Sequence, residues 1–266
     1  WLDEKMMYSC AIFDNQDCSL EKASTIKIDR ICKKLRLNEN DHLLEIGTGW
    51  GGFAIYAAKN YGCKVTTTTI SEKQYQLAKE RVEEAGLSNK ITLLLEDYRD
   101  LEGQFDKLVS IEMIEAVGYQ YFDDYFKKCS KLLKPDGLMV LQTITIADQQ
   151  YKYSIRSVDF IQKYIFPGGC LPSVSKIAET ITENTDMRII NIEDIGPHYA
   201  TTLSHWRERM YERIDEIRDM GYSDTFVRMW HYYLCYCEGA FIERAIGDVQ
   251  MIIMKPMNRD LPYLNL

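Results

Sequence analysis

Leu44-Glu45-Ile46-Gly47-Thr48-Gly49-Trp50-Gly51-Gly52 carries an apolar run into a cluster of glycines, and its surroundings decide the fold. The run that includes its first residues, His42–Ile46, reads as a strand; residues 53–60 read as a helix that stops near Gly62. Glycine lets the backbone leave a strand in a tight turn and approach a ligand without obstruction by a Cβ. In a parallel sheet such a turn lies at the carboxyl edge, where the strand order reverses and ligands bind.

The same alternation continues outward. Lys64–Thr69 is a β-branched second strand. Ser71 starts a helix whose capping box pairs it with Gln74, expected to satisfy the Ser71 amide, and Gly86 stops that helix. Ile91–Leu95 and residues 107–111 are the third and fourth strands. Apolar positions at helical spacing across 119–134 end at Pro135-Asp136-Gly137, and residues 138–146 form the fifth strand. Strand and helix repeated with short loops imply a doubly wound α/β sheet, mostly parallel and covered on both faces. The rhythm breaks over 147–172, where Tyr151, Tyr153, Phe160, Tyr164 and Phe166 are too aromatic for a solvated linker and suggest a lid. Regularity returns with a helix at 173–182, a strand at Arg188–Asp194, helices across 202–220 and 223–245, and a last strand at 249–254.

The 266 residues, 46% hydrophobic, are enough for one domain with a substantial core, and no composition shift marks a second. A net charge of −8 argues against general nucleic-acid binding and against a polybasic membrane anchor. No apolar run is long enough to span a bilayer. The eight cysteines are scattered; Cys235 and Cys237 are spaced too tightly for a redox pair or zinc knuckle, and no metal site is expected. Free thiols and no visible signal peptide point to the cytoplasm. Because the chain opens at Trp1 rather than Met, a missing native N-terminus is expected.

Three segments carry chemistry. Gly47, Gly49 and Gly52 satisfy the dinucleotide pattern, but that use needs an acid ending the second strand, where Thr66-Thr67-Thr68-Thr69 stands. Glu45, just before the turn, favours S-adenosylmethionine, whose cationic amino acid end a carboxylate can orient. Close packing alone is the bland alternative. Asp97-Tyr98, past the third strand, offers an acceptor and a ring for an adenine, or simply a turn. Glu112 and Glu115 follow the fourth strand in an apolar setting, as a base or anchor for a charged species or as acids at a helix start.

Together these segments are specific. Tyr8-Ser9-Cys10, the Glu45–Gly52 turn, Thr69-Ile70-Ser71 with Gln74, Asp97-Tyr98-Arg99-Asp100 and Phe105-Asp106 through Glu115 occur in one family's order. Lys163-Tyr164-Ile165-Phe166-Pro167-Gly168-Gly169-Cys170-Leu171-Pro172-Ser173 and His198-Tyr199 with Thr201-Thr202-Leu203 continue it. Over nearly its whole length the chain resembles the cyclopropane-fatty-acid–phospholipid synthases, class I methyltransferases that include the mycolic acid cyclopropane synthases. The resemblance implies a seven-stranded methyltransferase sheet binding S-adenosylmethionine. Tyr8 and Ser9 are expected to close over the cofactor, Glu45, Gly47 and Gly49 to hold its amino acid end, Ile70 and Gln74 to lie along ribose and adenine, and Asp97 and Tyr98 to take the adenine.

In that family the cis double bond of an acyl chain attacks the methyl group, and bound bicarbonate takes a proton as the ring closes. The matching bicarbonate ligands are Cys10, Glu115, the backbone of Ile144, and Tyr199, with Gln142 on the fifth strand where many members carry His. Ala116 replaces another His, and Glu112 stands where several members have glycine. Glutamine can donate a hydrogen bond but not titrate, which puts deprotonation in question. The expected partner is unsaturated phospholipid at the inner membrane face, captured through the 147–166 stretch; the resemblance also admits a homodimer. The alternatives are methyl transfer without ring closure, methylation of a small molecule, and a non-catalytic lipid binder.

Overall fold

In the computed structural model, which describes residues 1–259, a helix precedes the first strand. This helix, α1 (Leu20–Leu35), is capped by Ser19, whose side chain accepts from the Lys22 amide, and it ends at Arg36 in the left-handed region. Its apolar stripe is interrupted by Lys27 and Lys34, both buried, which hides the helical period in the sequence.

Seven strands follow: β1 (His42–Ile46), β2 (Lys64–Thr69), β3 (Ile91–Leu95), β4 (Phe105–Ile111), β5 (Leu133–Ile146), β6 (Arg188–Asp194) and β7 (Ile246–Met254). Their order is β3-β2-β1-β4-β5-β7-β6, parallel except for β7, which runs antiparallel to both neighbours. The helices between them are α2 (Gly52–Tyr61), α3 (Glu72–Glu84), α4 (Phe122–Leu132), α5 (Asp148–Ser154), α6 (Phe160–Tyr164), α7 (Val174–Asn184), α8 (Gly196–Glu212), α9 (Ile214–Asp219) and α10 (Asp224–Ile242). Leu43, Val65, Val109 and Val140 pack on one face of the sheet with α1 and α2; Leu44, Leu108, Met139 and Leu141 pack on the other with α4 and α7. Strands buried on both faces read as continuous rather than alternating apolar runs.

The threonine run of β2 is buried because each hydroxyl finds a partner: Thr66 with His42 Nε2, Thr67 with Glu45, Thr68 with the Glu96 carbonyl, and Thr69 with Gln74. Several boundaries differ from the sequence expectation; β4 starts at Phe105 and β7 at Ile246, each earlier than expected. β5 begins at Leu133, paired with Phe105, so Pro135-Asp136-Gly137 falls inside the strand, beside a register shift. α8 starts at Gly196, because Pro197 suits the first turn of a helix and does not block one. The region expected as two helices after 202 holds three, because the chain breaks at Arg213 between α8 and α9.

A third apolar cluster joins the N-terminal segment to α8 and α10 through Cys10, Ile12, Tyr199, Trp206, Tyr233 and Phe241. Tyr199 reaches the end of β4 from this cluster, so it caps the carboxyl edge of the sheet.

Candidate active site

The glycine turn is built by positive φ angles at Gly47 (+103°), Gly49 (+52°) and Gly51 (+83°). The Gly47 and Thr48 amides both donate to the Thr68 carbonyl, pinning the turn to β2. A methyl group at Gly49 would meet nothing within 4 Å, so the chain leaves open space there, as a ligand cradle requires. At Gly52 the reason for glycine is close packing: a Cβ would lie 2.8 Å from the Lys5 carbonyl oxygen. Arg81 on α3 reinforces that approach by donating to the carbonyls of Glu4, Lys5 and Trp50. The N-terminal segment is thereby tied to the turn, which carries Tyr8, Ser9 and Cys10 to the site.

Glu45 is buried beneath the turn and accepts from Thr67 Oγ1 at 2.6 Å. Burial pushes its carboxyl up to about 8, against the Thr67 hydrogen bond and the charge of Lys27. Lys27, fully buried on α1, donates to Ser9 Oγ at 2.8 Å, and burial lowers its pKa. This lysine was not singled out from the sequence; its only sequence signal is a cation in the apolar stripe of a helix.

The Tyr8 hydroxyl pairs with that of Tyr233 at 2.8 Å, and its ring packs on Trp1, Trp206 and Phe166. Ile70 is 78% exposed beside the turn that follows β2. Gln74 receives the Thr69 hydroxyl, and the Ser71 amide donates to Thr69 rather than to Gln74. The capping box is therefore half formed: Ser71 Oγ accepts from the Gln74 amide without the reciprocal bond. Asp97 is clasped by its neighbour Arg99, which holds its carboxyl below the usual range, and the Tyr98 ring meets Tyr125 edge-on.

A second cluster lies at the ends of β4 and β5. Glu112 Oε1 accepts from the Cys10 amide and from Gln142 Nε2, each at 2.8 Å, and Oε2 accepts from the Tyr199 hydroxyl at 2.6 Å. Each of these three partners donates, so both carboxyl oxygens of Glu112 act as acceptors. The Gln142 amide is oriented by Gln250, itself held by Lys34, in a relay from α1 to Glu112. Glu115 is drawn elsewhere. Its Oε1 accepts from the Ile144 amide at 2.5 Å and from Thr143 Oγ1 at 2.8 Å, while its Oε2 is buried without a hydrogen bond. Burial and the charge of Glu112 push Glu115 up to about 8. The same two causes raise the carboxyl of Asp248, which lies within 3.4 Å of Gln142 Nε2.

Of the expected bicarbonate ligands, then, Cys10, Gln142 and Tyr199 converge, but on Glu112, and Glu115 closes on Ile144 instead. The Cys10 thiol faces the carbonyls of Ala11 and Ile195 and lies beside the Asp248 carboxyl. A bicarbonate does not fit this donor set: its place is filled by the Glu112 carboxyl group, which already accepts from those donors. The Pro167-Gly168-Gly169-Cys170 run is anchored at the same point, since the Cys170 amide donates to the Glu115 carbonyl at 2.8 Å.

The profile of the mycolic acid cyclopropane synthetase family matches residues 1–251. The chain is 41% identical over 262 residues to tuberculostearic acid methyltransferase UfaA1 of Mycobacterium tuberculosis, covering 96% of this chain and 61% of that protein. It is 42% identical over 260 residues to the cyclopropane-fatty-acyl-phospholipid synthase of Escherichia coli K12, covering 98% of this chain and 65% of that protein. It thus spans less than two thirds of either relative. Among solved structures, mycolic acid cyclopropane synthase CmaA1 complexed with SAH and CTAB superposes with a TM-score of 0.89 at 29% identity, covering 96% of this chain and 92% of that one. With its sheet order, glycine turn and acid cluster in place, the chain belongs to the mycolic acid cyclopropane synthetase family.

Proposed function

We propose that this protein transfers a methylene from S-adenosylmethionine to the cis double bond of an unsaturated phospholipid acyl chain, closing a cyclopropane ring at the membrane face. The observation that carries this reading is the pairing of an open glycine turn after β1 with a carboxylate cluster after β4. The two strands are neighbours, Gly47 approaches Met113 beside the cluster, and Tyr199 of the aromatic cap reaches Glu112. The names of the relatives support lipid as the acceptor class, and a structural relative bound to SAH and a long-chain amphiphile supports the pairing of the two ligands.

S-adenosylmethionine supplies, when bound, a methyl group on a cationic sulfur that a neutral alkene can attack. Glu45, Gly47 and Gly49 would hold its amino acid end, Ile70 and Gln74 its ribose and adenine, and Asp97 and Tyr98 the adenine edge. Tyr8, Trp206 and Tyr233 form a ring-lined wall that would keep water from a carbocation formed on the acyl chain. Exposed Tyr153, Val158, Tyr164 and Phe166 on the 147–172 segment offer an apolar surface for lipid capture. No helix among the described residues is long and apolar enough to cross a membrane, so capture is assigned to this surface. No step runs through bicarbonate, because Glu112 engages its donors.

Mass spectrometry of cis-unsaturated phospholipid vesicles incubated with the protein and S-adenosylmethionine tests the reading. A gain of one CH2 unit with loss of the alkene is the expected result; unchanged lipid despite confirmed cofactor binding overturns it. A second reading, methyl transfer with the alkene retained or relocated, is favoured by Gln142 and Ala116, and gives the same mass gain without loss of the alkene.

A further inference from the structure

The Glu112 backbone has φ +48°, in the left-handed region, and its amide donates to the Gln142 carbonyl at 2.8 Å. A non-glycine residue there is strained and persists where surrounding contacts impose it. What the strained turn achieves is placement. It swings a carboxylate onto three donors from separate parts of the fold: the N-terminal segment, β5 and α8. The side chain thereby sits one strand from the open glycine turn; a Cβ at Gly47 would touch Met113, the residue after Glu112.

Glu115 meets a different set of groups: its Oε1 accepts from the Ile144 amide and Thr143, its Oε2 has no hydrogen bond among the described residues, and none of the donors from the N-terminal segment or α8 reaches it. Burial and the charge of Glu112 raise the Glu115 carboxyl, so two carboxyls three residues apart sit in different surroundings, as in sites that divide acid and base roles.

We propose that Glu112 is the resident general base of the reaction, taking the place of a dissociable anion; this rests on the acyl-chain transfer proposed above. The π pair of the alkene forms a bond to the donor's methyl carbon while the S–CH3 bond breaks and its pair returns to sulfur, leaving a cation on the acyl chain. A C–H bond of the transferred methyl then breaks. Its pair closes the ring onto the cationic carbon, and the proton passes to the Glu112 carboxylate, which becomes neutral.

The test uses the full chain with dioleoyl phospholipid vesicles and S-adenosylmethionine in carbonate-free buffer, with and without added bicarbonate. Wild-type turnover is expected to be the same in both. Glu112→Gln should lower turnover by about 10²–10⁴-fold, the usual share of general base catalysis, with cofactor affinity unchanged by calorimetry. Glu112→Gly relieves the strained φ and opens the donor set, so its residual turnover should rise with bicarbonate. Carbon-13 NMR of labelled bicarbonate should show binding to Glu112→Gly and none to wild type. Wild-type turnover that needs bicarbonate, wild-type bicarbonate binding, or undiminished Glu112→Gln turnover would each overturn the assignment. If wild type alters no lipid, the proposed reaction and this role fall together, and the NMR arm still decides what occupies the donors.

Discussion

Tyr199 on α8 donates its hydroxyl to Glu112 Oε2 at 2.6 Å, joining residues 87 apart in the chain. The tyrosine ring is stacked on Phe241 with centroids 4.4 Å apart, so its position does not depend on that hydrogen bond. The helical cap and the strand edge are thus connected at the carboxylate that lies nearest the proposed chemistry.

Tyr199→Phe keeps the ring and removes the donor. A hydrogen bond to a charged group contributes about 1.5–3 kcal/mol, so turnover should fall by roughly one to two orders of magnitude. Steady-state assays with calorimetry of S-adenosylmethionine binding check this; an unchanged rate would mean that the Glu112–Tyr199 contact is only structural.

Gly49→Val should abolish cofactor binding. The added side chain enters the open space at the turn and also meets a φ of +52°, which a β-branched residue rarely adopts. Unchanged affinity by calorimetry would place the donor elsewhere.

Glu45 gives cofactor binding a pH dependence of known sign. Its carboxyl, at about 8 in the free protein, is largely protonated at neutral pH, and a cationic ligand favours the charged form. Binding near pH 7 should therefore release close to one proton from this group, with affinity rising as pH approaches 8. The free protein should itself lose stability as pH climbs from 4.5 towards 8, because the folded state holds the proton that the unfolded state gives up. Calorimetry in buffers of different ionisation enthalpy measures the proton count, and Glu45→Gln should remove that contribution.

Glu115→Gln should leave cofactor affinity near normal and lower turnover. The amide oxygen can still accept from Ile144 and Thr143, but the group no longer carries an acid proton beside Glu112. Collapse of cofactor affinity would instead put Glu115 in the donor site.

The alternation around Leu44–Gly52 made the doubly wound sheet legible, because a buried parallel strand and a glycine exit are local patterns. α1 was hidden for a local reason too: Lys27 and Lys34 occupy its apolar stripe, and their burial depends on Ser9, Glu193 and Gln250, all distant in the chain. α8 starts at Gly196 rather than at the expected 202, with Pro197 in its first turn, where a helix tolerates proline.

The acids illustrate the limit most clearly. Glu112 and Glu115 stand three apart, and spacing alone makes them equivalent candidates. Glu112 adopts a left-handed φ, and a short 3-10 turn over Ile114–Ala116 follows, so their side chains turn to different donors. What the sequence by itself determined is the fold class and the glycine turn, written in periodicity and local turn chemistry, and the order of motifs that carries the family resemblance. Only the tertiary structure decided which carboxylate meets Cys10, Gln142 and Tyr199. Those donors are separated from Glu112 by 102, 30 and 87 positions, and strand register and helix packing, not local pattern, bring them together.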